Sequence, residues 1–117
     1  MKPALRRLHS PDIDDLVRYA PENPADFGFL LQIMAGPEGG EGEESFDVVV
    51  CSPQWMLRRL GAGPVSGRHH LFMATYRYDK LHSFVRAFMD QCEAENWRDV
   101  AQALGRLGKW EFEDYVG

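Results

Sequence analysis

Residues 27–51 read FGFLLQIMAGPEGGEGEESFDVVVC, and this stretch decides the fold. Residues 27–35 are apolar enough to form a strand buried on both faces, and residues 45–51 place Phe46, Val48 and Val50 on one face of a second strand. Between them, residues 36–44 contain four glycines and four glutamates, a composition that favours a loop. Two strands joined by such a loop predict an antiparallel hairpin.

The residues before this hairpin predict a further strand, at 4–9, and a short helical segment. Ser10 followed by Pro11 is typical of a helix cap with proline at the first helical position. The acidic residues that follow favour a helix N-terminus. We therefore expect a turn or two of helix, followed by a loop at residues 20–26. The apolar positions of this predicted helix are Ile13, Leu16 and Val17.

The residues after the hairpin predict helices separated by one more strand. Ser52 and Pro53 repeat the cap signal and start a short helix that Gly61 ends. Residues 69–76 predict a strand, and residues 79–94 a long amphipathic helix capped by Asp79. A second main helix at 97–107 follows a cap at Asn96. The apolar stripe of the long helix is Leu81, Phe84, Val85, Phe88, Met89 and Cys92.

The C-terminal segment places three aromatic residues among acids. A short strand at residues 109–113 would dock Trp110 and Phe112 on the core, because burying an aromatic side chain is worth roughly 1.5–3 kcal/mol. With strands gathered first and long helices afterwards, the sequence predicts the α+β class: an antiparallel sheet with two main C-terminal helices packed on one face. The length of 117 residues predicts a single domain, 1–117.

Composition and charge restrict the functional class. The apolar runs are too short to span a membrane, no signal peptide is visible, and the two cysteines indicate free thiols, so we expect a cytoplasmic protein. Residues 1–52 hold ten acidic and four basic side chains, whereas the remainder holds eight and nine. An acidic domain of this kind is unsuited to binding nucleic acid and attracts basic partners.

Catalytic and metal chemistry are not indicated. His69 and His70 are adjacent on a predicted strand, so their side chains point to opposite faces and cannot chelate one ion together. The acidic loop lacks the alternating ligands of a calcium site. We expect no metal, no cofactor and no enzymatic activity. The rival hypothesis is a small enzyme or ligand-binding protein that uses Cys51 with His69 or His70.

Several short motifs, in this order, resemble the immunity protein 8 family of bacterial polymorphic toxin systems. The resemblance extends over most of the chain. The N-terminal half carries HSPDI at 9–13, FGF at 27–29, GPEG at 36–39 and EESF at 43–46. The second half carries CSP at 51–53 with Trp55, GRH at 67–69 and WEFEDY at 110–115.

This resemblance implies an α+β protein that binds and neutralises a toxin domain encoded beside it, inside the producing bacterium. It implies no catalytic residue. The acidic surface would suit a toxin domain with a basic cleft, such as a nuclease, and a regulatory binding module without a toxin partner is the remaining alternative. The residues expected to contact the toxin are Asp12, Asp14, Asp15, Tyr19, Glu38, Glu41, Glu43 and Glu44.

Overall fold

The computed structural model describes residues 1–114 and contains five strands and three helices in that range. Strands and helices follow one another as the α+β prediction requires, with the longest strands first. In chain order the elements are β1 (Pro3–His9), β2 (Gly28–Pro37), β3 (Glu44–Cys51), α1 (Pro53–Leu60), β4 (His70–Phe72), α2 (Tyr78–Met89), α3 (Trp97–Leu104) and β5 (Lys109–Trp110).

The strands form one sheet in the order β1-β2-β3-β4, and β5 also pairs with β3. The predicted hairpin is confirmed: β2 and β3 are antiparallel, with Gly28 opposite Cys51 and Ala35 opposite Glu44. Strand β1 lies antiparallel to β2 and has an irregularity between Leu5 and Arg7. Both β4 and β5 lie along the same edge of β3, at different places on it.

The sheet is mixed rather than entirely antiparallel, which corrects one detail of the predicted α+β fold. Strand β4 runs parallel to β3, with Val49 opposite His70 and Cys51 opposite Phe72. The reason is that helix α1 lies between the two strands in the sequence. The crossover through α1 returns the chain toward the N-terminal side of the paired part of β3, so β4 runs in the same direction as β3. Strand β4 also has only three residues, whereas the sequence predicted a strand over 69–76.

The two faces of the sheet are covered differently. The face that carries Phe29, Leu31 and Ile33 is fully packed, because α2 and α3 contribute their buried side chains to the same core. Two main C-terminal helices on one face are therefore confirmed. We call the other side the open face and define it by five half-buried residues. These are Leu30, Gln32, Met34, Asp47 and Val49.

Helix α1 covers one end of the open face. The ring of Trp55 lies directly against Gly28, where a Cβ would overlap the indole. Gly28 alternates onto the same side of β2 as Leu30. Ser52 caps α1 as predicted, accepting from the Trp55 N–H at 3.3 Å, and Pro53 occupies the first turn. The same Ser52 hydroxyl accepts from the Phe27 N–H at 3.1 Å, so the cap also ties α1 to the start of β2.

The predicted helix after Ser10 is wrong. The Ser10 hydroxyl does accept from the N–H groups of Asp12 and Ile13, but the segment continues as turns rather than as a helix. Of its three apolar positions only Leu16 is buried, and Val17 is 67% exposed. A short helix is stable only when an apolar face packs on the rest of the protein, and this segment has little such packing. Its polar side chains instead accept hydrogen bonds from nearby backbone N–H groups.

The two main helices are confirmed at shorter lengths, with one wrong cap and one wrong core residue. Asn96 caps α3, accepting from the Asp99 N–H at 2.9 Å, whereas α2 begins after Arg77 and has Asp79 inside its first turn. Phe84 is 49% exposed and Phe88 is half-buried. Leu81, Val85 and Met89 already fill the stripe that faces the sheet, so the neighbouring aromatics lie at its margins.

The C-terminal strand is shorter than predicted. The strand ends at Trp110, although the Glu111 N–H still donates to the Ser45 carbonyl at 3.1 Å. Trp110 stacks on Phe46 with the ring centroids 6.5 Å apart. Phe112 is 39% exposed and contacts Trp110 edge-on, so it is docked on another aromatic ring rather than buried. Tyr115, the third aromatic of the motif, lies outside the described residues. None of the helices in residues 1–114 combines the length and the apolar character needed to cross a bilayer.

Candidate functional site

The acidic residues predicted to bind a partner lie at the two ends of β2. The Asp12 carboxylate accepts a hydrogen bond from the Leu30 N–H at 2.8 Å, which fixes the cluster Asp12, Asp14 and Asp15 near the start of the strand. The acidic loop, residues 38–43, follows Pro37 at its far end. At about 3.3 Å per residue, the two groups are separated by roughly 25 Å. The structure therefore does not bring them into one cluster.

Within the first group, two of the three aspartates organise the backbone. Asp12 accepts the bond from the Leu30 N–H described above. The Asp15 carboxylate accepts from the N–H groups of Val17 and Arg18, at 3.0 and 3.3 Å. The Asp14 side chain is exposed and forms no hydrogen bond or ion pair with another described residue. Asp14 is thus the member of this group most available to a partner.

Tyr19 is held in an aromatic cluster below these aspartates. Its ring contacts Phe29 and Tyr76 edge-on, with centroids 5.6 and 5.0 Å apart. The Tyr76 hydroxyl donates to the Leu16 carbonyl at 2.5 Å and fixes the turn segment against the core. Burial raises the pKa of Tyr19. This cluster leaves the Tyr19 side chain only partly exposed.

Alkaline pH should destabilise the protein through Tyr76. Burial, followed by the neighbouring Tyr78, Tyr19 and Asp15, raises the pKa of Tyr76 from 10.0 to about 12. The stabilisation is complete below the unfolded-state pKa and is lost as the pH rises through the folded-state pKa. Between pH 10 and 12, the free energy of unfolding should fall by about 1–2 kcal/mol more in the wild type than in Tyr76→Phe. Urea titrations across this range measure the difference, and equal slopes would contradict it.

The acidic loop is held in one conformation by Arg6. Its guanidinium donates to three loop carbonyls, those of Pro37, Gly40 and Gly42, at 2.9, 2.8 and 3.3 Å. Gly39 and Gly42 have φ values of 78° and 91°, which other residues rarely adopt. The loop that the composition predicts therefore has a defined shape, fixed by these contacts.

The neighbouring glutamates Glu43 and Glu44 serve opposite sides of the sheet. Glu43 binds the Arg7 guanidinium at 2.9 Å, and Arg7 is opposite Met34 on the open face. Glu44 is opposite Ala35 and points to the helix side, where its carboxylate accepts from the indole N–H of Trp97 and of Trp110, at 2.9 and 2.8 Å. Glu44 thus stabilises the fold, a role that the sequence-based site assignment does not include.

Of the eight residues predicted to contact a partner, three acidic side chains remain exposed and without a described partner. These are Asp14, Glu38 and Glu41. The half-buried apolar side chains of the open face, Leu30, Met34 and Val49, lie between the two acidic ends. An apolar strip framed by carboxylates has the chemistry of a protein interface that selects a basic partner.

The residues of the rival hypothesis do not form a catalytic arrangement within residues 1–114. Cys51 is fully buried, and burial raises the pKa of its thiol. The ring nitrogens of His69 and His70 each bond a backbone carbonyl, of Gly105 at 2.8 Å and of Arg68 at 3.0 Å. No described hydrogen bond joins Cys51 to either histidine. In the same range, no group of His, Cys, Asp and Glu side chains is arranged to hold a metal ion.

Cys51 should react slowly with alkylating reagents in the native protein. A buried thiol with a raised pKa is neither accessible nor ionised, whereas a nucleophilic cysteine is both. With iodoacetamide at neutral pH, modification of Cys51 should follow global unfolding and accelerate as urea is added. Mass spectrometry of peptides containing Cys51 measures the rate. Rapid modification without urea would support the enzyme hypothesis.

Sequence reasoning missed the basic residues that shape this surface. Arg6 and Arg7 fall within the predicted strand at 4–9 with no further signal, yet they hold the loop and Glu43. No local pattern marks them, because their partners are more than thirty positions away. Glu44 did carry a signal: it has the same strand parity as Phe46, and therefore faces the core.

A family model described as Immunity protein 8 matches residues 4–115, nearly the whole chain. No curated protein and no solved structure matches the chain significantly.

Proposed function

Because this chain belongs to the immunity protein 8 family, we propose that it binds a cognate toxin domain of a polymorphic toxin system and neutralises it by occlusion, in the cytoplasm of the producing bacterium. The family match over residues 4–115 carries this proposal. Neutralisation by occlusion needs a complementary surface but no chemical step. The buried, weakly acidic Cys51 is consistent with that non-enzymatic mechanism.

The proposed toxin-binding surface is the open face together with its two acidic ends. A standard interface buries roughly 800 Å² on each partner, equivalent to a patch about 28 Å across. The distance from Asp12 to the acidic loop along β2 is similar, so the whole strip is needed. Leu30, Met34 and Val49 would supply desolvated contacts, and the exposed carboxylates would supply steering.

The roles of the eight predicted contact residues differ in this proposal. Asp14, Glu38 and Glu41 attract the toxin directly, because no described residue neutralises them. Asp12, Asp15 and Glu43 are exposed, but they also hold the backbone or Arg7. Tyr19 and Glu44 act by maintaining the surface rather than by contacting the toxin. A basic toxin, such as a nuclease domain with a cationic cleft, fits this charge pattern.

Neutralising the three exposed carboxylates should slow association with the toxin. The variant Asp14→Asn/Glu38→Gln/Glu41→Gln removes three charges without disturbing a described contact, so the association rate should fall by about tenfold at low salt. The effect should shrink at physiological salt, where charges are screened over about 8 Å. Surface plasmon resonance at both ionic strengths measures the two rates.

A matched variant controls for net charge. Asp79→Asn/Asp90→Asn/Asp99→Asn makes the same change in charge on the exposed surface of α2, its end and α3. It should slow association by less than about twofold, since these residues lie on the helix side of the sheet. If both triple variants slow association equally, net charge explains the effect and the open face is not the interface. If neither does, the exposed carboxylates do not steer association and the acidic ends are not part of the interface.

A titration tests the function itself, independently of the surface. Toxin activity should disappear when the two proteins are present in equal molar amounts. Inactivation of a molar excess of toxin would indicate catalytic turnover and overturn occlusion. Full toxin activity at any ratio would overturn the immunity function for that toxin.

A further inference from the structure

A second surface of opposite charge lies between α3 and the segment that follows it. Here the described residues enclose an open groove of about 1090 Å³. Helix α3 and its C-terminal turn contribute Arg98, Gln102 and Arg106, and the segment after them contributes Trp110 and Glu113. This arginine–tryptophan groove is completed by Trp97 and Arg68.

The groove has positive charge available for a ligand. Arg68 is bound to Glu113 at 2.7 Å, but Arg98 and Arg106 are exposed and form no ion pair with another described residue. Guanidinium groups bind carboxylates in a bidentate, charge-assisted manner. Two such groups in one groove therefore indicate a ligand with at least two anionic groups.

The aromatic part of the groove is rigid. The indole N–H groups of Trp97 and Trp110 both donate to the Glu44 carboxylate, and Phe46 contacts both rings. Because their polar atoms are already satisfied, the ring surfaces that face the groove offer only apolar contact. Rigid tryptophans beside arginines are the residue types enriched at the centres of protein interfaces.

The spacing of the arginines indicates an extended ligand. Arg98 lies in the first turn of α3 and Arg106 in the turn after its C-terminus, so the two residues lie at opposite ends of an eight-residue helix that is roughly 12 Å long. In an extended peptide, residues i and i+4 are about 13 Å apart and project from the same side, with residue i+2 between them. Two carboxylates at i and i+4 would thus reach the two arginines, and an apolar side chain at i+2 would meet the tryptophans.

We propose that the arginine–tryptophan groove binds an extended acidic segment of a partner protein, through carboxylates at positions i and i+4 and an apolar side chain at i+2. A nucleic acid fits less well, because the Glu113 carboxylate lines the same groove and would repel a continuous phosphate backbone, whereas two separated carboxylates can be placed away from it. The groove is on the helix side of the sheet. Its occupancy is therefore independent of the toxin surface proposed above.

Nuclear magnetic resonance with short peptides tests this proposal. The probes are capped pentapeptides of the pattern Glu-Ser-X-Ser-Glu, where X is tryptophan, phenylalanine or leucine, each with a partner in which both glutamates are glutamine. The chain has three tryptophans, so the indole N–H signals of Trp97 and Trp110 report on the groove and that of Trp55, on α1, serves as an internal reference. At least one acidic peptide should shift the first two signals and leave the third unchanged.

Arginine variants provide the specificity control. Arg98→Gln and Arg106→Gln should each weaken binding of the acidic peptide by roughly tenfold, as expected for losing a hydrogen bond to a charged group. Arg86→Gln removes an exposed helical arginine elsewhere, without a described ion pair, and should leave binding unchanged. Spectra of the free variants confirm that each remains folded.

Several outcomes would overturn the proposal. These are no shift with any acidic peptide, equal binding of the glutamine peptides, and equal weakening by Arg86→Gln. Tighter binding of a single-stranded oligothymidine than of every acidic peptide would assign the groove to nucleic acid instead. None of these outcomes bears on the toxin titration, so the two proposals fail separately.

Discussion

Replacing Phe46 with alanine is expected to lower the free energy of unfolding by about 3–5 kcal/mol. Phe46 is fully buried in β3, where its ring stacks on Trp110 and meets Trp97 edge-on. Removing the Phe46 ring leaves a cavity beneath both indoles. The indoles cannot move in to fill this cavity, because their N–H groups are bonded to the Glu44 carboxylate. Urea denaturation followed by circular dichroism measures the loss.

The control for this prediction is Phe84→Ala. Phe84 is also a phenylalanine in a regular element, but it is 49% exposed. Its truncation should cost less than about 1 kcal/mol, because little apolar area returns to water. Similar losses for the two variants would mean that Phe46 is not the centre of the core.

Replacing Glu44 with alanine is expected to cost about 2–3 kcal/mol. Its half-buried carboxylate accepts from two indole N–H groups, and both lose a charged partner together. Glu44→Gln keeps one acceptor oxygen and should recover part of the loss. The same urea experiment measures both variants. In the absence of urea, the tryptophan fluorescence of each folded variant should also differ from that of the folded wild type, because Trp97 and Trp110 have lost a charged partner.

The adjacent residue offers a matched comparison. Glu43→Ala removes the same type of side chain from the preceding position. The partner of Glu43 is Arg7, whose side chain is 58% exposed. Exposed ion pairs contribute roughly 0–1 kcal/mol, so Glu43→Ala should be nearly neutral for stability. A larger loss for Glu43 than for Glu44 would contradict the assignment of the two carboxylates to opposite faces.

Local patterns predicted most of the fold because they are properties of neighbouring residues. Alternation in residues 45–51, the glycine-rich loop and the Ser52 and Asn96 caps each act within a few positions. The pairing of β4 is different. Its parallel direction depends on where α1 delivers the chain, and periodicity does not encode that. The segment after Ser10 has good capping signals, but its later residues never gain a packing surface.

The candidate site was predictable in composition but not in arrangement. The sequence identified the acidic residues, and it also suggested that they would act together. The structure separates them by the length of β2 and gives Glu43 and Glu44 different partners, Arg7 and the two tryptophans. Those partners lie more than thirty positions away, so no window of sequence contains both members of a pair.

One edge of β3 pairs with both β4 and β5, and this has a consequence for synthesis on the ribosome. The hairpin and β1 involve only the first part of the chain, whereas Trp110 follows its acceptor Glu44 by 66 positions. At roughly 5–20 residues per second, the translating chain carries an unfinished sheet for roughly 3–13 seconds after Glu44 has been added. During that interval the edge of β3 and the apolar side of Phe46 await their last partners. A nascent chain of this design therefore exposes an unpaired strand edge and apolar surface, which favour aggregation, until its last strand is made.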